Sequence, residues 1–149
     1  MIAFCGPVKR ISSIAKAMTP FPYSIAADAT VPDAVAMMKT HGINHLPVMR
    51  GADLVGLLWN RDIRVAQALS AANHTLTVEQ LCSPEPYIVE LSERLDLVVL
   101  EMAERRAGAA MVTRQGKLAG ILTTTDVCRL LGETLRDGAE LPDDDGDVA

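Results

Sequence analysis

The chain is short of aromatic rings, of cysteines, of unbroken apolar runs and of any excess of positive charge, and each shortage closes off a class of protein. Two Phe, two Tyr and one Trp make aromatics 3% of 149 residues, although 49% are hydrophobic. The core must therefore be aliphatic. Cys5, Cys82 and Cys128 are odd in number, widely spaced and without a Cys-x-x-Cys pair, which argues against a disulfide frame or a zinc site and for a reducing compartment. Met1 to Pro7 is too short for the hydrophobic region of a signal peptide, and no run approaches the ~18 apolar residues of a membrane span. The expectation is a soluble, cytoplasmic protein. Formal net charge is −5, but the segment from Asp137 to Ala149 holds six acids and no Lys or Arg, leaving 13 acids against 14 bases elsewhere. So neutral a body lacks the basic face that nucleic acid demands, and residues 136–149 read as an acidic, disordered tail.

What is present is a duplication. Gly120-Ile121-Leu122-Thr123-Thr124-Thr125-Asp126 reads as a short apolar strand running into a helix, and Gly56-Leu57-Leu58-Trp59-Asn60-Arg61-Asp62 is its counterpart 64 residues upstream. At that constant offset of 64, Pro20, Pro22, Tyr23, Val35, Met38, Val48, Leu54, Gly56, Leu58 and Asp62 meet identical residues without a gap. Each half carries the same signals. Val8 to Met18 spaces Ile11, Ile14, Ala15 and Met18 as one helical face, and Leu76 to Cys82 predicts its counterpart. Thr19-Pro20-Phe21-Pro22 and Ser83-Pro84-Glu85-Pro86 force extended paths; Tyr23 to Ala26 continues as a brief strand. Thr30, with Pro32 and Asp33 behind it, begins a helix that Gly42 ends; Ser92 is read as the cap of its equivalent, with Leu95, Val98, Val99 and Met102 inward. Two hairpins follow in turn, Ile43 to Trp59 through the turn Arg50–Asp53, and Ala109 to Leu122 through Arg114–Lys117. Helices over Arg61–Ala71 and Asp126–Leu135 close the halves. The class is α/β in content (α+β), two β-α-β-β-α units divided as residues 11–71 and 72–135 after a segment 1–10, with Ala72-Asn73-His74 as the joint.

These residues resemble a tandem pair of cystathionine β-synthase (CBS) domains, a Bateman module, over roughly Ile11 to Leu135. Met18-Thr19-Pro20, Leu46-Pro47-Val48 and the twice-repeated Gly-apolar-apolar-x-x-x-Asp carry the likeness. The resemblance implies two pseudo-twofold-related repeats packed through their sheets, a homodimer forming a four-repeat disk, and a regulatory rather than catalytic role. It also implies an adenosine-containing ligand (AMP, ADP, ATP or S-adenosylmethionine) in the clefts between repeats, with the signal passed to a protein effector. Carried over, Thr123, Thr125 and Asp126 face Pro20, Tyr23 and Ile25 and the approach Asn44-His45-Leu46-Pro47. A carboxylate can accept from both vicinal ribose hydroxyls, and free N–H groups at a helix start favour a phosphate. The second cleft joins Asn60 and Asp62 to Tyr87, Val89, Ala109 and Ala110. It departs from the family pattern, because Trp59 stands where a hydroxyl is usual. One working site per chain, the Asp126 cleft, is the expectation.

Each feature also has a plainer reading. Thr123-x-x-Asp126 is an ordinary capping box. His41 and His45 have a zinc-like spacing, but Gly42 separates them and no third ligand follows, so no metal is assigned. Arg61, Arg64 and Arg129 sit near helix starts as phosphate contacts or solvated charges, and Glu104-Arg105-Arg106 complements a helix dipole. Cys128 is read as core. No nucleophile elbow, P-loop or dinucleotide fingerprint is present, so no catalytic residue and no required cofactor are assigned. The competing reading is a dimerisation module whose clefts are filled by side chains such as Trp59.

Overall fold

The computed structural model describes residues 12–20, 22–69 and 76–138. Of the sequence expectations, the joint at Ala72–His74, Phe21 and the tail beyond Gly138 lie outside these residues, as does the N-terminal segment through Ile11. The element order is α1 (Ile14–Ala17), β1 (Thr19–Pro20), β2 (Ile25–Ala26), α2 (Val31–His41), β3 (His45–Arg50), β4 (Asp53–Trp59) and α3 (Asn60–Leu69). It continues with α4 (Val78–Leu81), β5 (Tyr87–Glu90), α5 (Leu95–Arg105), β6 (Ala109–Arg114), β7 (Lys117–Thr123) and α6 (Thr124–Gly138). The content is mixed α and β, organised as two repeats.

Local chemistry sets most boundaries. Thr30 and Asp33 form a reciprocal capping box ahead of α2, and Gly42 stops that helix in the left-handed conformation at φ 62°. Thr77 and Gln80 make the same box for α4. The first hairpin turns at Gly51 (φ 62°), the second at Gln115 and Gly116 (φ 52° and 75°), the paired positive angles of a hairpin turn. Ser92 does not cap α5: the N-cap is Arg94, whose side chain makes no capping bond. The duplication places the helix start here, since Arg94 stands 64 residues after Thr30 and carries no group that can accept from the helix amides. Cys128 corrects a second expectation, because it is exposed rather than core. Only one side of α6 meets the protein.

The two sheets are not built from one half each. β2, β3 and β4 form a three-stranded sheet, whereas β5, β6 and β7 acquire β1 as a fourth strand from the other half. Thr19 pairs with Ile121 and Pro20 with Gly120, antiparallel. The reciprocal contact is a bridge between Ser83 and Leu57, with hydrogen bonds of 3.0 Å and 2.9 Å in the two directions. Each half thus sends the segment before its own sheet across to the edge of the other.

The short helices cross as well. Ile14 of α1 is fully buried with Val89, Val98, Val112 and Leu122 of the second repeat. Val78 of α4 is fully buried with Ala34, Leu46, Leu58 and Ile63 of the first. A third cluster, Leu57, Ala109, Met111 and Ile121 with Leu54, Trp59 and Leu118 against it, joins the two sheets. Removing a fully buried aliphatic side chain such as Ile14 costs about 2–5 kcal/mol, so the exchanged helices are part of the core.

Both crossings need glycine. A Cβ on Gly120 would lie 2.9 Å from the Thr19 carbonyl oxygen and 2.4 Å from the Met18 sulfur; one on Gly56 would lie 2.5 Å from both the Ser83 carbonyl oxygen and the Cys82 sulfur. By contrast, Gly132 in α6 has open space around it. Gly56→Ala is therefore expected to destabilise by about 1–3 kcal/mol through overpacking, lowering Tm by about 2–12 °C. Gly132→Ala should stabilise by about 0.5–1 kcal/mol by removing a flexible residue from a helix. Calorimetric unfolding of both variants checks the pair of opposite signs.

Candidate functional site

At each strand-to-helix junction one repeat meets the other: a cavity lies beside the first junction, and at the second Asp126 lies near His45 of the other repeat. These two places are the candidate clefts. Neither junction has a loop: α3 follows β4 directly, and α6 follows β7. Each helix start is pinned to its own repeat, the Asn60 amide donating to the Asn44 carbonyl at 2.8 Å and the Thr124 amide to the Gly108 carbonyl at 3.0 Å. This fixes which side chains point into each cleft.

At the start of α6, Asp126 is only 7% exposed. Its Oδ2 accepts from the Thr123 hydroxyl at 2.6 Å and the Thr123 amide at 2.9 Å, while the Asp126 amide donates back to the Thr123 hydroxyl at 3.2 Å. Oδ1 receives one long bond of 3.4 Å from Arg129. Thr123 and Asp126 thus form a complete capping box and still leave a carboxylate oxygen with spare acceptor capacity. From the other repeat comes His45, half-buried, with its ring 5.5 Å from that of Trp59. Burial holds the His45 imidazole below its ordinary range, and the negative charge of Asp126 opposes this. The two groups, 81 positions apart in the chain, feel one another across the repeat junction.

The remaining residues expected in this cleft separate into two sets. Pro20 lies at the edge strand beside Gly120. Tyr23 is half-exposed and stacks on His41 with ring centroids 3.6 Å apart and planes at 16°. Thr125 is exposed, and Asn44 accepts from the Asn60 side chain at 3.4 Å. Ile25, Leu46 and Pro47, however, turn their side chains into the core, so they can offer a ligand only backbone.

The opposite cleft is a cavity of about 170 Å³ lined by Leu57, Trp59 and Arg61 from the first repeat, Ser83 to Tyr87 in part, and Arg106 to Ala109 from the second. Of the residues the sequence assigns here, Tyr87 and Ala109 are in the lining. Val89 and Ala110 are buried in the second core, and Asn60 is turned toward Asn44. Trp59 packs edge-on against Gly108, its indole carbon 3.0 Å from where a Cβ would be, and the Arg61 guanidinium lies 5.1 Å from its ring centroid. With no hydroxyl at position 59, Asp62 forms no capping box; its side chain is 38% exposed and pairs with Arg61 at 3.7 Å. Tyr87 is covered by Arg105, 4.6 Å above its ring, where the equivalent Tyr23 has His41.

In the sequence Arg106 is legible only as a helix-end charge. It terminates α5 at φ 53°, a left-handed conformation that costs a non-glycine residue about 1–2 kcal/mol, and its equivalent Gly42 has the same shape with φ 62°. Cys82, pressed against Gly56, has its thiol pushed up by burial and by Glu79.

A base held below its ordinary pKa in the folded state binds fewer protons than it does unfolded. The stability that His45 contributes is therefore complete above about pH 6.5 and is lost as pH falls through and below that value. Tm is expected to drop between pH 7.5 and 5.5, and His45→Gln should flatten that dependence; an equally steep profile in the variant would assign it elsewhere.

Comparison with known proteins agrees with this architecture. The CBS domain family model matches residues 9–68 and 78–133. The inosine-5′-monophosphate dehydrogenase of Methanocaldococcus jannaschii is 30% identical over 108 residues, which are 71% of this chain and 21% of the enzyme. The same 21% share holds for the next three curated relatives, so the match takes in about a fifth of those proteins. A CBS domain pair solved with 5′-methylthioadenosine and S-adenosyl-L-methionine superposes with a TM-score of 0.75 at 24% identity, over 83% of this chain and 98% of that one. The CBS domain of a bacterial CNNM/CorC family Mg2+ transporter, solved with ATP, gives 0.72 at 25% identity, over 81% and 87%.

Proposed function

The chain belongs to the CBS domain family as a pair of repeats, and from that premise we propose that it is a regulatory sensor of an adenosine-containing ligand. The observation that carries this reading is the make-up of the clefts. The Trp59 cavity is lined from both repeats, and Asp126 and His45 come together from different repeats. A ligand bound at either place therefore contacts both, and its binding free energy depends on their relative orientation. Such a ligand shifts the population toward the orientation it fits, and the surface offered to a partner changes with it.

The Asp126 cleft is the one we assign to the ribose. Asp126 keeps a free acceptor position on Oδ1, suited to a vicinal diol, and the exposed Thr125 beside it offers its hydroxyl and backbone amide to a phosphate. AMP, ADP, ATP and S-adenosylmethionine all carry that diol. The relatives solved with ATP and with S-adenosyl-L-methionine support the ligand class. No catalytic residue is assigned. The working unit in this reading is a cytoplasmic homodimer that signals to a protein effector: α3 leaves Val65 and Leu69 exposed, and α6 leaves Leu131 and Leu135, apolar stripes fit for a second copy. Among the described residues no helix is long and apolar enough to cross a membrane.

One observation favours a second reading, an interaction module without a small ligand. Trp59 fills part of its cleft from within, against Gly108.

The test is thermal unfolding of ligand-stripped protein with AMP, ADP, ATP or S-adenosylmethionine, comparing wild type with Asp126→Ala and Asp62→Ala. Ligand at about 100 times its Kd adds roughly 2.7 kcal/mol, a Tm rise of about 5–10 °C for a chain of this size. The expected result is a ligand-induced rise that Asp62→Ala keeps and Asp126→Ala loses. The reverse dependence moves the ribose to the other cleft, and no rise with any ligand leaves the interaction module.

A further inference from the structure

We propose that the Trp59 cleft binds a compact anion through Arg61 and Arg106, without a ribose clamp, so that the two clefts read different chemistry. This rests on the reading of the clefts as ligand sites and names what one of them selects.

Four observations converge. The lining includes two arginines, Arg61 and Arg106, and one acid, Glu85, whereas the equivalents of the two arginines in the other repeat are Thr125 and Gly42, both uncharged. Arg106 holds a left-handed backbone where its counterpart uses glycine; a strained residue kept at the wall of a cavity points to a role for its side chain. Among the described residues Arg106 makes no ion pair, and the one ion pair of Arg61 is with its chain neighbour Asp62 at 3.7 Å. Finally, Asp62 is not part of the lining, and the cavity of about 170 Å³ falls below the ~300–1,000 Å³ typical of sites for larger ligands. Trp59 has taken the missing volume. What remains is a small space with a net positive wall, matched to phosphate-class charge.

Trp59 is the sole tryptophan, and because His45 beside Asp126 lies 5.5 Å from its ring, each titration is repeated in Asp126→Ala, where its fluorescence reports this cleft alone. Inorganic pyrophosphate and adenosine are titrated separately into the ligand-stripped full chain at constant ionic strength. Pyrophosphate is expected to change the Trp59 signal saturably, and adenosine, which carries the base and diol but no phosphate, to need at least tenfold more. Arg106→Gly should raise the ligand-free Tm by relieving the backbone while weakening the pyrophosphate response at least tenfold. That opposition separates a binding role from a structural one. Arg61→Gln should weaken the response in the same direction. An unchanged midpoint in Arg106→Gly, or an adenosine midpoint equal to that of pyrophosphate, overturns the inference. If adenosine compounds raise Tm through Asp126 while Trp59 stays silent to pyrophosphate, the anion site fails and the sensor reading stands. A saturable pyrophosphate signal without any thermal response to adenosine compounds supports the anion site and removes the adenosine sensor.

Discussion

Everything in this molecule depends on two backbone approaches too close for a side chain. Where Thr19 passes Gly120 and Ser83 passes Gly56, a single Cβ would fall within 3 Å of a carbonyl oxygen. These contacts let the segment before each sheet cross to the opposite repeat. The crossing in turn buries Ile14 and Val78 in foreign cores and carries Tyr23 and Tyr87 onward from the far repeat's edge. The clefts exist because of it. Each has a helix start on one wall and, on the other, chain that has just returned from the opposite repeat.

Against this shared backbone frame the two repeats differ at most positions, and a handful of those differences decide their chemistry. Thr123 gives Asp126 a hydroxyl and buries the carboxylate at the helix start; Trp59 gives Asp62 nothing, and that carboxylate turns outward. His45 lies near Asp126 across the junction, where the equivalent Ala109 offers only a methyl group. Thr30 caps α2 and Arg94 does not cap α5. Because the backbone is duplicated, each difference can be read as a substitution within one protein, with the other repeat as its reference.

Much of this is visible in the sequence, for identifiable reasons. The offset of 64 aligns residues whose roles are fixed by backbone geometry, so the glycines, the hairpin turns and the junction aspartates are all legible as paired features. The capping box of α2 is legible because it is local, spanning three residues. What stays hidden depends on contacts across the duplication. Periodicity can mark Ile14 and Val78 as buried but cannot say in which core, and nothing local distinguishes Arg106 as a strained residue at a cavity wall from Arg106 as a helix-end charge. Ile25, Leu46, Val89 and Ala110 neighbour cleft residues in sequence, yet alternation along a strand sends their side chains the other way. Cys128 follows the analogous rule on a helix: periodicity gives a face, and which face is covered is decided by tertiary packing.

The reciprocal crossing also makes each repeat depend on the other. A lone repeat of this design carries a glycine shaped to receive a segment that its own chain has already directed elsewhere, and a short helix with no core of its own to enter. It is incomplete by itself and complete in a pair. Placing both repeats in one chain makes this exchange of leading segments intramolecular, so the pairing depends on a covalent link rather than on concentration. It also lets equivalent positions differ, Trp59 in one repeat and Thr123 in the other, whereas in a symmetric homodimer every substitution appears twice.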